Sequence, residues 1–199
     1  ETQINLTTKA YTENNSETVL DILENDSDVN AFEKSIDDDC IHIIAKRQPT
    51  ASDLRLVMSI SKMVTDLERS GDEVKKMAKS IRRIQERDVT VLKATTDIKH
   101  LAEAASSQIR NALDTFARLD AGEARTVIEK DDALDKEFKA IVRQLITFMM
   151  EDPRTITTAL DIITIARAIE RVGDHAKNIA EQVIYIVEGR DIRHLADEN

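Results

Sequence analysis

The sequence predicts an all-α fold, built as two tandem three-helix bundles related by an internal repeat. Three observations carry this reading. The 199 residues include only 4 Gly, 2 Pro and 3% aromatics, too few turn-forming and strand-favouring residues for a sheet protein. Apolar residues recur at spacings of three and four, the period of a helix with one buried face. Segments of the first half of the chain return in the second half, the mark of a duplicated unit.

The repeat can be followed residue by residue. Glu68-Arg69-Ser70-Gly71-Asp72 returns as Glu170-Arg171-Val172-Gly173-Asp174, and Lys75 and Ala78 return as Lys177 and Ala180, at an offset of 102. Upstream the offset is 105: Gln3-Ile4 meets Gln108-Ile109, Tyr11 meets Phe116, Asp26 meets Asp131, and Ile36 meets Ile141. The difference is absorbed near Pro49 and Pro153. The units are therefore expected at residues 1–87 and 88–190, with a tail at 191–199.

In order along the chain, the first helix of the first unit ends at Asn14-Asn15-Ser16, which also supplies N-cap chemistry for the second. The second helix carries Ile36, Cys40 and Ile43 on one apolar seam and ends before Pro49. The third carries Val57, Ile60, Val64, Leu67, Gly71, Val74, Ala78 and Ile81. In the second unit the first helix is expected to start near Val91 and to end at Asp120-Ala121-Gly122. The second helix has the seam Ala124, Val127, Asp131, Leu134, Phe138, Ile141, Leu145 and Phe148, and it ends before Pro153. The third has Ile162, Ala166, Ile169, Gly173, Ala176, Ala180 and Val183. Short connections make neighbouring helices antiparallel. Glu1 aligns with Ser106, some fifteen residues into its helix, so the first unit reads as lacking the start of its first helix.

Composition excludes several classes of function. A net charge of −10 repels nucleic acid and anionic lipid. The single cysteine, Cys40, cannot form an internal disulfide and fits a reducing compartment. No stretch is long and apolar enough for a membrane span, and no secretory signal is visible. There is no Gly-rich phosphate loop, nucleophile–base pair or Cys/His zinc spacing, so no enzymatic activity is expected.

The chemistry lies where acids interrupt the seams. Asp26 stands between Ile22 and Val29, and Asp131 between Val127 and Leu134, at matched positions of the two units. A buried carboxylate needs a partner or a metal. Asn30 follows Asp26, and Asp135 follows Asp131, at the i, i+4 spacing that shares a helix face. The third helices carry Glu68 with Asp72 and Glu170 with Asp174 at the same spacing. In an antiparallel hairpin, facing residues have a constant index sum. Asp26 with Asp72 and Asn30 with Glu68 both give 98, while Asp131 with Asp174 and Asp135 with Glu170 both give 305. Each unit thus places its polar pairs at one level. Oxygen ligands suit Mg²⁺, Mn²⁺, Ca²⁺ or iron, and no His stands at the spacing that di-iron bundles use. The plainer alternative is that Glu68 and Glu170 pair with Arg69, Arg171 or nearby Lys on a solvated face. Gly71 and Gly173 fit close helix packing or access to the polar level.

The run Gln48-Pro49-Thr50-Ala51-Ser52-Asp53-Leu54-Arg55, the two Glu-Arg-x-Gly-Asp signatures, Met150-Glu151-Asp152-Pro153-Arg154 and the continuation His175-Ala176-Lys177-Asn178-Ile179-Ala180-Glu181 resemble the PhoU family of bacterial phosphate-transport regulators. The resemblance covers essentially the whole chain, with Ser70 standing where the family usually has Ile. It implies two three-helix bundles with Glu/Asp-x-x-x-Asp metal motifs. Here these fall on Glu68/Asp72, Glu170/Asp174 and Asp131/Asp135, and loosely on Asp26/Asn30. It further implies a cytoplasmic homodimer at the inner face of the membrane, held there through partners. Those partners are the ATPase subunit of the phosphate ABC transporter and the sensor histidine kinase of the phosphate regulon, which the protein represses when phosphate is plentiful. Two other classes are an adaptor whose acids bind no metal and a metal-dependent helical-bundle enzyme. Bound metal in purified protein separates off the first, and metal-stimulated turnover the second.

Overall fold

The computed structural model describes residues 1–24, 27–87 and 95–192, apart from the side chains at 24, 27, 28, 95 and 96. Seven α-helices account for nearly all of these: α1 (Thr2–Thr12), α2 (Ser16–Glu24), α3 (Ser27–Arg47), α4 (Ala51–Glu86), α5 (Thr95–Arg118), α6 (Ala121–Glu151) and α7 (Ile156–Glu188). There is no strand among the described residues. A 3-10 turn at Pro153–Thr155 joins α6 to α7.

The predicted breaks fall where backbone chemistry makes them. Asn14 and Leu119, related by the 105-residue offset, both adopt left-handed φ, 53° and 50°. Asn15 Oδ1 then accepts from the amides of Glu17 and Thr18, and Asp120 Oδ1 accepts from the amide of Glu123. Each caps the helix that follows. The stretch expected as the second helix of the first unit is helical over both of its described parts, 16–24 and 27–47. The expected start near Val91, Asp26 and most of the 191–199 tail lie outside the described residues.

The two long third helices, α4 and α7, pack on each other along much of their length, antiparallel. Arg83 late in α4 and Arg87 just after it reach Asp161 early in α7, and Arg55 early in α4 reaches Tyr185 late in α7. On this spine α1, α2 and α3 pack against α4, α5 and α6 pack against α7, and α1 lies on α5. A single apolar core runs through both units, from Ile4 and Val19 through Ile81 and Ile98 to Leu145, Ile169 and Ile184. The predicted seams of α6 and α7 are buried except for half-buried Phe148. The α3 seam is corrected: Cys40 is buried, but Ile36 is half-buried and Ile43 is 42% exposed.

The matched glycines differ in their surroundings. A Cβ at Gly173 would lie 2.9 Å from Gln108 Oε1 and 3.2 Å from a methyl of Leu134, so α5 and α6 both crowd this point. A Cβ at Gly71 would meet only Val29, at 3.8 Å. Beside Gly71, a cavity of about 190 Å³ is lined by Ile4, Val29, Leu67, Ser70 and Val74. Ser70 is buried there, its hydroxyl turned back to the Asp66 carbonyl at 2.8 Å, and it leaves space unfilled. Gly71→Ala is therefore expected to raise stability by about 1 kcal/mol, the helix-propensity difference. Gly173→Ala should lower it by about 1 kcal/mol, because the overpacking outweighs the propensity gain. Urea unfolding of both variants checks the opposite signs.

Candidate functional site

α6 and α7 form an antiparallel pair that brings Leu134 against Gly173. At that level stand the four acids expected in the second unit. Asp131 and Glu170 are each 6% exposed, Asp135 is half-buried, and Asp174 lies at the exposed rim. Both acids are drawn inward by the helical period: four residues before and three after stand buried Val127 and Leu134 for Asp131, and buried Ala166 and Gly173 for Glu170.

Their charges act on one another. Burial raises the Glu170 carboxyl pKa, and the charges of Asp174 and Asp135 add to this against the hydrogen bond from Arg167. Desolvation against the helices raises Asp174 too, reinforced by Asp131 and Asp135 and opposed by Lys177 and His175. Lys177 is disfavoured as a cation by its own burial, yet the hydrogen bond to Asp131 and the charges of Asp131, Glu181 and Asp174 carry its pKa upward.

Three cations neutralise part of the cluster. Lys177 Nζ donates to Asp131 Oδ2 at 3.0 Å, Arg167 Nη1 to Glu170 Oε1 at 2.7 Å, and Lys139 Nζ to Asp135 Oδ2 at 3.4 Å. Glu170 Oε2 is buried with no hydrogen-bond partner. The plainer alternative gave Glu170 a cationic partner, and it has one in Arg167 rather than Arg171. One residue on, Arg171 points about 100° round the helix and meets Glu73 at 3.1 Å.

No group of three or more His, Cys, Asp or Glu among the described residues stands in a geometry that could hold a metal ion. The chemistry of the donors, unlike their present spacing, suits a hard cation. It is all oxygen, it includes an orphaned buried carboxylate oxygen, and two of its members have raised pKa values that a cation would relieve. Asp131, Asp135, Glu170 and Asp174 would hold it. The competing side chains can leave, since Arg167 and Lys177 are 57% and 36% exposed.

In the first unit, Asp26 lies outside the described residues. Glu68, Asp72 and Asn30 are half-buried, and Asp72 Oδ1 accepts from Lys75 Nζ at 3.0 Å. Lys75 and Lys177 are matched in the repeat, so each unit sets a lysine beside its acids. The repeat contained that signal, while the cross-spine contacts of Asp66, Glu73 and Asp161 left none in it.

Tandem helical units sharing one spine, with acids gathered between the second and third helices, define a duplicated-bundle protein with an oxygen-donor cluster. The sequence model of the PhoU domain matches residues 1–81 and 98–183, one match in each unit. The chain belongs to the PhoU family. It is 44% identical over 195 residues to the phosphate-specific transport system accessory protein PhoU homolog of Pseudomonas putida, covering 98% of this chain and 76% of that protein. It is 43% identical over 178 residues to the PhoU accessory protein of Escherichia coli K12, covering 89% and 73%. The crystal structure of PhoU from Pseudomonas aeruginosa superposes with a TM-score of 0.91 at 43% identity, covering 95% of this chain and 90% of that one. The phosphate transport system regulatory protein PhoU from Streptococcus pneumoniae gives 0.86 at 25% identity, covering 96% and 88%.

Proposed function

We propose that this protein is a non-catalytic accessory and negative regulator of phosphate uptake. In this reading it couples the phosphate ABC transporter, through its ATPase subunit, to the sensor histidine kinase of the phosphate regulon. Family membership across both units carries the proposal, and the relatives' names supply the transport system. It works as a homodimer in the cytoplasm at the inner face of the membrane, held there by its partners. Among the described residues no helix is long and apolar enough to cross a membrane. Deleting the gene should derepress phosphate-starvation genes in phosphate-rich medium, and a plasmid copy should restore repression. Normal repression in a strain lacking every copy would sink the reading.

Metal binding at the acid cluster belongs to the same proposal, with Mg²⁺, Mn²⁺, Ca²⁺ or iron as the ion. A bound cation would supply charge neutralisation and fix the facing acids of α6 and α7. The ammonium and guanidinium groups already on Asp131, Asp135 and Glu170 favour a second reading, an adaptor whose acids bind only side-chain cations. Elemental analysis separates the two. Wild-type protein is expected to retain metal that Glu170→Gln with Asp174→Asn lacks, and equal contents would leave the adaptor reading.

A further inference from the structure

The repeat makes an ion pair in one place and leaves its counterpart unmade. Arg171 of α7 meets Glu73 of α4 at 3.1 Å. Under the 102-residue offset the corresponding residues are Arg69 and His175. His175 offers Arg69 no carboxylate. Its Nδ1 lies 2.8 Å from Asp66 Oδ1, which also accepts from Asn178 Nδ2 at 3.1 Å. Arg69 makes no hydrogen bond or ion pair with any described residue, and neither does Lys62, seven residues earlier on the same face of α4. The other arginines that reach across the α4–α7 spine with their side chains all have partners there: carboxylates for Arg83, Arg87 and Arg171, and the carbonyl and ring of Tyr185 for Arg55.

Lys62 and Arg69 both line an open pocket of about 410 Å³ between α4 and α7, together with Thr65, Asp66, Asn178 and Gln182. Gln182 is 4% exposed, and its carboxamide oxygen is buried with no partner. The second oxygen of Asp66 accepts no hydrogen bond from a described residue. The pocket therefore combines two exposed cations that have no partner among the described residues with two free acceptor oxygens, one on Asp66 and one on Gln182.

That combination has a definite chemical complement. A guanidinium fork beside an ammonium suits an oxyanion, and two positive charges favour a dianion over a carboxylate. An acceptor carboxylate in the same pocket repels a fully deprotonated anion but accepts a hydrogen bond from one that keeps a proton. At neutral pH phosphate keeps a proton and sulfate does not. We propose that the pocket between α4 and α7 binds inorganic phosphate. Arg69 and Lys62 hold its charge, and its hydroxyl donates to Asp66. The volume lies in the range of small-molecule sites and leaves room for water beside the ion. The assignment depends neither on metal at the acid cluster nor on the coupling to a kinase.

The test is calorimetric titration of the chelator-treated full chain with sodium phosphate and, in parallel, sodium sulfate. Chelation removes phosphate binding through a metal. Saturable phosphate binding is expected, with sulfate at least tenfold weaker. Arg69→Gln and Lys62→Gln together should weaken phosphate by tenfold or more, Arg171→Gln should leave it unchanged, and Asp66→Asn should bring sulfate close to phosphate. Phosphate should also shift the wild-type amide resonances of residues 62–69 and 178–182, a readout independent of any variant's folding. No saturable phosphate binding, equal affinity for the two anions in wild type, or undiminished binding in the Arg69/Lys62 double variant would each overturn the proposal.

Discussion

Glu170→Gln is expected to stabilise the metal-free protein and to weaken the metal-loaded one. Glu170 is 6% exposed, and one of its oxygens is buried without a partner. Burial, with Asp174 and Asp135 nearby, raises its pKa above the ordinary 4.5. A raised folded-state pKa means that the folded protein holds the proton more tightly than the unfolded chain does. Stability from this group is present at low pH and is lost as pH rises through the folded pKa. At neutral pH the ionised group is therefore a liability. The neutral amide should remove that liability, a gain on the order of 1 kcal/mol for each unit of pKa relieved. Arg167, 57% exposed, can return to water. A cation bound only by the folded state reverses the order, adding about 2.7 kcal/mol at a hundredfold excess over its dissociation constant, most of which the variant should lose. Melting temperatures of both proteins, with chelator and with Mn²⁺ or Mg²⁺ from pH 5 to pH 8, check this. The wild-type deficit in chelator should shrink toward acid. Equal shifts with and without metal would exclude Glu170 as a ligand.

Much of the fold was legible because duplication supplies each signal twice. Asn14 and Leu119 end matched helices, and the buried acid Asp131 stands where the seam put it. The register implied by the index sums is also close. Val29 faces Gly71, an index sum of 100 against the expected 98, and Leu134 faces Gly173, 307 against 305. The same displacement of two in both units follows from side chains leaning toward the helix N-terminus, so contacts fall away from a register drawn through Cα positions. Three features were not legible. Ile43 follows Cys40 at the seam spacing, but neighbouring Ile41, Leu54 and Met58 at this end of the hairpin are exposed as well, so no partner helix covers it. The spine between α4 and α7 joins residues roughly a hundred apart, and nothing in a helical period states which two bundle faces will meet. Which cations serve the acid cluster was hidden for a related reason. Lys177 reaches Asp131 from the facing helix, and Arg167 rather than adjacent Arg171 serves Glu170, choices set by rotation about the helix axes.

The spine also sets the largest expected loss from a single polar substitution. Asp161, 7% exposed on α7, accepts from Arg83 Nε at 2.8 Å and from Arg87 Nη1. Its twin position is Ser59, buried with an unpartnered hydroxyl, and the twin of Arg83 is Tyr185. The far end of the spine is closed differently, by Arg55 lying 5.6 Å over the Tyr185 ring. One end is thus clamped by charge and the other by a cation on an aromatic face. Breaking a fully buried pair by removing one partner costs about 3–5 kcal/mol. Here Arg83 and Arg87 are 46% and 34% exposed and can partly rehydrate, so Asp161→Ala should cost about 2 kcal/mol. Asp161→Asn, which keeps one acceptor oxygen, should cost about half as much. Unfolding should remain a single transition in both variants, because Ile81, Ile162, Ile165 and Ile169 belong to the core shared by the two units. Urea denaturation at low salt and at 1 M salt measures the loss. A cost below about 0.5 kcal/mol that vanishes in salt would class the contact as an ordinary screened surface pair. Two separated transitions in Asp161→Ala would show that this clamp, and not the shared core, joins the units.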